Sequence, residues 1–89
     1  MTASDTFLTA FFAIPLGTSN GQSGAKSYVV SRSELAGGKS HKLVTRERGG
    51  PDYISLNLYL TKNSGALLRP CEMSAQKVTE FVISFQPEK

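Results

Sequence analysis

The sequence predicts an α+β fold: an antiparallel β-meander of four or five strands packed on one C-terminal α-helix. Three observations predict it. The stretch "DYISLNLYL" alternates, with Ile54, Leu56, Leu58 and Leu60 on one side of an extended strand and Tyr53, Ser55, Asn57 and Tyr59 on the other. Near the C-terminus the period changes: Val78, Phe81, Val82 and Phe85 recur at i, i+3, i+4 and i+7, the stripe of an amphipathic helix. The connections in the meander are short, which favours antiparallel neighbours.

Taken in order, residues 7–16 are Phe-rich, alternate imperfectly and stop at Pro15, as a strand buried on much of both faces would. Residues 17–25, "GTSNGQSGA", have nothing to pack and predict a flexible loop. "KSYVVSR" is a short β-branched strand, "SELAGGKS" a loop and "HKLVTRER" a further strand. "GGPD" turns the chain into the Tyr53 strand, "KNSG" makes the next turn, and "ALLRP" is a last strand cut off by Pro70. Ser74 is placed to cap the helix, Met73 to pack on Val78 as a hydrophobic staple, and Pro87 to end it.

A chain of 89 residues with 39% apolar content makes a single domain, 1–89, with a core lean enough to gain from dimerisation. One cysteine permits no internal disulfide and suits a reducing compartment. The apolar run from Phe7 to Leu16 is too short to span a bilayer, and Asp5 stands where a signal peptide carries positive charge. A cytoplasmic protein without membrane partners is expected. The net charge of +3 is uneven. Residues 26–69 hold Lys26, Arg32, Lys39, Lys42, Arg46, Arg48, Lys62 and Arg69 against only Glu34, Glu47 and Asp52, a basic centre that suits a polyanion.

Catalysis finds little support. His41 and Cys71 are the only residues of their kinds, too few for a metal site, so no metal or cofactor is expected. Cys71 follows Arg69 and precedes the helix, a setting that favours a thiolate, but a small half-buried side chain at a strand end accounts for it better. His41 reads as a surface or edge residue. "GGKS" at 37–40 matches the end of a phosphate-binding loop, but Ser33 occupies the place of the first glycine and a strand follows where a helix is needed.

The polar side of the Tyr53 strand is more informative. If "HKLVTRER" and "DYISLNLYL" form a hairpin, Lys42, Val44 and Arg46 share one side, and Leu43 and Val44 compete for the core. With Lys42 and Arg46 beside Tyr53, Asn57 and Tyr59, and with Lys62 and Arg69 at the border, the face has the makings of a single-strand platform. Rings stack bases at about 1–3 kcal/mol each and cations hold phosphates. The same residues also stabilise an ordinary hairpin through cross-strand Tyr–Arg pairs.

From His41 to Phe81 the layout resembles the positive cofactor 4 family of transcriptional coactivators. A basic strand, a Gly-containing turn, the "YISLNLYL" strand, a polar hairpin with Gly, a strand reaching a proline and a C-terminal helix follow one another. That resemblance implies four antiparallel strands with one helix, a homodimer, and single-stranded DNA bound on the sheet face and turns. It points to Arg46, Arg48, Tyr53, Tyr59, Lys62 and Arg69. It covers about half the chain, and "PCEMS" replaces the longer basic segment that the family carries before its helix.

The expected function is therefore a non-enzymatic nucleic-acid-binding domain preferring single strands, with Lys42, Arg46, Arg48, Tyr53, Asn57, Tyr59, Lys62 and Arg69 as site residues. The alternative is a protein-interaction or homodimerisation module acting through a strand edge or the C-terminal helix, whose apolar face Ile83 widens. A small enzyme using Cys71 is a third reading.

Overall fold

The structure, a computed structural model, describes residues 2–88. It is α+β: one open antiparallel sheet of six strands with two helices on the same face. In chain order the elements are α1 (Asp5–Ala13), β1 (Gly17–Ser23), β2 (Lys26–Leu35), β3 (Ser40–Glu47), β4 (Tyr53–Leu60), β5 (Ala66–Pro70), α2 (Ala75–Ser84) and β6 (Gln86–Pro87). The strands lie in the order β5-β4-β3-β2-β1-β6. Among the described residues, no helix is long and apolar enough to cross a membrane.

Two expectations need correction at the N-terminus. Residues 7–16 do not form a strand; α1 takes their place. Ser4 caps it by accepting the Phe7 N–H at 3.1 Å, and Asp5 sits in the first turn, where negative charge is favoured. Phe7, Phe11 and Ile14 fall at i, i+4 and i+7 and are buried. Residues 17–23 are not a loop either. They form β1, paired with β2 along its whole length through a two-residue turn in which Gly24 takes positive φ. The sheet therefore has more strands than the four or five expected, and the fold has one more helix.

The polar sequence of β1 holds as a strand because its neighbours complete it. A Cβ at Gly21 would collide with the ring of Phe85 and the carbonyl of Gln86. The bare glycine thus makes room for Phe85, and the chain continues directly into β6, which pairs back on Gly21 and Gln22.

The rest follows the expected order. In the β3–β4 pairing, Lys42 faces Asn57, Val44 faces Ser55 and Arg46 faces Tyr53. Leu43, Ile54, Leu56, Leu58 and Leu68 point into a continuous core with Phe7, Phe11, Val78, Phe81 and Val82. Leu43 rather than Val44 takes the inner position, which settles the competition between them. Ser74 caps α2 by accepting the Lys77 N–H at 3.1 Å, and Met73 packs against the core. His41 is not a surface residue: it is 2% exposed, with Nε2 3.0 Å from the Gly38 carbonyl.

Both sheet edges are short and partly covered. The Ala3 N–H donates to the Ala66 carbonyl at 2.7 Å and Thr2 bridges Leu67, so the N-terminal segment lies along β5. On the other side β6 spans two residues and ends in Pro87, which lacks an N–H.

Candidate nucleic-acid interface

The two helices leave one face of the sheet bare, and the alternation of each strand decides what it displays. Across β2, β3, β4 and β5 the side chains on that face fall into cross-strand rows. Val29, Arg46 and Tyr53 form one row and Ser31, Val44 and Ser55 the next; then come Ser33, Lys42, Asn57 and Arg69, and finally Leu35, Ser40, Tyr59 and Leu67. β1 adds Thr18 beside Ser31 and Asn20 beside Val29.

Lys42, Arg46 and Arg69 are exposed on this face, and among the described residues none has a carboxylate within ion-pair distance. No strand residue in these rows is acidic. Two other cations approach carboxylates near the β3–β4 turn. Lys26 and Glu47 approach to 4.0 Å, and Lys77 binds Asp52 at 2.8 Å. Arg32 lies on the helix side, 8% exposed, with Nη1 donating to the Ile14 carbonyl at 2.6 Å and its guanidinium 5.0 Å from the ring centres of both Phe11 and Phe12. Burial pushes its pKa down, and the charge of Glu34 acts against that shift. Arg32 therefore belongs to the packing of α1 and not to the basic face.

Six of the eight residues expected at the site share the face: Lys42, Arg46, Tyr53, Asn57, Tyr59 and Arg69. Arg48 stands in the turn just after β3, and its N–H donates to the Ser27 carbonyl at 2.7 Å. Lys62 is exposed in the β4–β5 turn, beyond the Tyr59 row. These two border the face at opposite ends of β4. The Asn57 amide donates to the Cys71 sulfur at 3.5 Å, which places that thiol against the middle of the face.

Tyr53 and Tyr59 are 41% and 39% exposed, respectively, and six strand residues apart, so their rings lie about 20 Å from one another along β4. Their surroundings differ. Tyr53 is cross-strand from Arg46 and has Lys77 Nζ 6.0 Å from its ring centre. It also lines a depression of about 520 Å³ with Val44, Arg46, Glu47, Gly50, Pro51, Asp52 and Ser55. Tyr59 sits among Ser40, Leu67 and Leu35, in a row without charge.

A hydrogen-bond network fixes the Tyr53 end. The Tyr28 hydroxyl donates to Asp52 Oδ2 and Lys77 donates to Asp52 Oδ1, each at 2.8 Å, tying β2 and α2 to the β3–β4 turn. The Tyr28 phenol is pushed up to about 12, first by burial and then by its bond to the carboxylate. Asp52 is held below the usual carboxylate range by its bonds from Lys77 and Tyr28.

The turn residues Gly50 and Pro51 were not singled out by the sequence, and Val44 and Ser55, which share the open face, were not named there as site residues. Only the curl of the turn over the face reveals them. Among the described residues, no three His, Cys, Asp or Glu side chains are grouped to hold a metal ion. Comparison with family models, with curated proteins and with solved structures found no match to this chain.

Proposed function

We propose that the protein is a non-enzymatic nucleic-acid-binding domain that prefers single strands and holds them on the bare face of its sheet. One observation carries this reading: Lys42, Arg46 and Arg69 share that face with the exposed rings of Tyr53 and Tyr59, and among the described residues none of the three is paired with a carboxylate. Cations hold phosphates without regard to sequence, and rings stack only on bases that are unpaired. The resemblance of residues 41–81 in layout to the positive cofactor 4 family points the same way, and the proposal includes a homodimer in which two such faces act together. A lone cysteine suits a cytoplasmic setting.

A second reading, a protein-interaction module, is favoured by Ile83, which is exposed on α2. The short, covered edges favour the helix over a strand edge as the contact in that case.

Titration of labelled single-stranded and double-stranded oligonucleotides tests the proposal. Neutralising three to four phosphates gives a log–log salt slope of about −2 to −3, or roughly a 20- to 50-fold loss of single-strand affinity between 50 and 200 mM salt. Single-strand preference that persists at the higher salt supports the reading. Binding that ignores strandedness, or no binding at low salt, rejects it and leaves the helix-contact reading.

A further inference from the structure

The depression at the end of the β3–β4 hairpin has a chemistry more specific than the rest of the face. Tyr53 and Val44 supply apolar surface, and Arg46 stands beside them. Its volume, about 520 Å³, lies within the range of small-ligand sites. Two acidic residues, Glu47 and Asp52, are also among those that line it.

These two carboxylates are not equivalent. Asp52 has both oxygens occupied, one by Lys77 and the other by Tyr28. Glu47 uses only Oε1, which accepts the Asp52 N–H at 3.3 Å and lies 4.0 Å from Lys26. Its Oε2 takes no hydrogen bond from any described residue. The Glu47 carboxylate is seated against Gly50, where a Cβ would collide with it, so the turn leaves room for the carboxylate only because residue 50 has no side chain. A carboxylate with one oxygen free of protein hydrogen bonds, in a residue that lines the same depression as a ring and a cation, matches one kind of occupant. That occupant is a nucleobase that stacks on the ring, leaves its phosphate to the arginine and offers an N–H to the carboxylate.

We infer that this depression is a single-base subsite that selects cytosine over thymine, resting on the single-strand reading above. Cytosine and thymine have rings of the same size and differ at position 4. Cytosine presents an amine that a Glu carboxylate accepts from; thymine presents a carbonyl that it repels. Arg46 and Tyr53 bind either base, and Glu47 distinguishes them.

The test compares oligo-dC and oligo-dT of equal length by fluorescence anisotropy at neutral pH, on the full chain and on Glu47→Gln. The expected result is about a tenfold preference for oligo-dC, equivalent to about 1.4 kcal/mol. In Glu47→Gln the preference shrinks to within about twofold or reverses, because the amide can donate to the thymine carbonyl. Thermal melting accompanies each titration, and Gly50→Ala, which displaces the carboxylate without removing it, is expected to reduce the preference as well. A loss of fold alone would lower both affinities and leave their ratio unchanged. Equal affinity of the unaltered protein for both oligonucleotides overturns the subsite and leaves the single-strand reading standing. So does a cytosine preference that survives both substitutions. Failure to bind either oligonucleotide overturns both.

Discussion

On β4, Leu56 is buried beneath the helices, while Ser55 and Asn57 on either side of it face outward between two exposed tyrosines. The same strands build both faces of the sheet, and the difference between the faces is chemical. The covered face takes the leucines and, among the described residues, buries one Lys or Arg side chain, Arg32, wrapped in aromatic rings and a carbonyl. The open face takes Lys42, Arg46 and Arg69 with their charges unpaired among the described residues. A cation on the covered face has had its binding capacity consumed by the fold. One on the open face has no carboxylate partner among the described residues. Counting basic residues along the chain merges these two populations, and the two-residue period separates them.

The largest effect expected from breaking this contrast lies on the covered face. Leu56→Ala leaves a cavity under the helices and costs about 2–5 kcal/mol, a fall in Tm on the order of 10 °C or more by calorimetry. On the open face, Tyr53→Ala leaves Tm within a few degrees and weakens binding to single strands about tenfold, since a stacked base is worth about 1–3 kcal/mol. Tyr59→Ala, in its uncharged row, is expected to lose about fivefold, the lower end of that range, about 1 kcal/mol. An equal loss from the two tyrosines would show that the charged and uncharged ends of the face act alike. Arg46→Ala makes the salt slope shallower by about 0.7 without unfolding the protein, whereas Arg32→Ala leaves the slope unchanged and lowers Tm.

The smallest effect is on pH dependence, and it separates the network at the Tyr53 end from the rest of the sheet. Asp52 titrates below its ordinary value of 3.8 in the folded protein, so its contribution to stability is complete above that value and fades as pH falls through the lower folded one. Tyr28 titrates at about 12 instead of 10.0, so its contribution is complete below pH 10 and fades as pH rises toward 12. Tyr28→Phe removes the alkaline loss and costs about 1 kcal/mol at neutral pH, measured by denaturant unfolding across pH.

How much of this was legible in the sequence depends on how far the decisive contact lies along the chain. The pairing of β3 with β4 and the cap of α2 are local, and they match the expected elements within a residue or so. The helix α1 carried its own signal, Ser4 ahead of Phe7, Phe11 and Ile14 at helical spacing, but the dense run of phenylalanines before Pro15 also fits a strand. β1 carried no signal that could be read locally. It has no apolar residue, and what holds it is a glycine fitted to Phe85, 64 positions away. His41 was misplaced because the outer face at Lys42 and the inner face at Leu43 make position 41 internal only once the register is known. At the site, alternation placed the tyrosines and Asn57, and the pairing of Lys42 and Arg46 with them depended on which of Leu43 and Val44 turned inward. Gly50 and Pro51 line the depression through the curvature of a turn, which has no pattern in the sequence.

The central claim is that the open face, and not the helices, receives a single strand. Titrating an unlabelled single-stranded oligonucleotide into isotope-labelled protein and following the backbone amide resonances tests it most directly. The account predicts that the shifts concentrate on β3, β4 and β5 around Lys42, Arg46, Tyr53, Asn57 and Arg69, strongest near Tyr53, while the amides of α1 and the exposed side of α2 around Ile83 stay in place. Shifts confined to the helices, or none at saturating oligonucleotide, would contradict it.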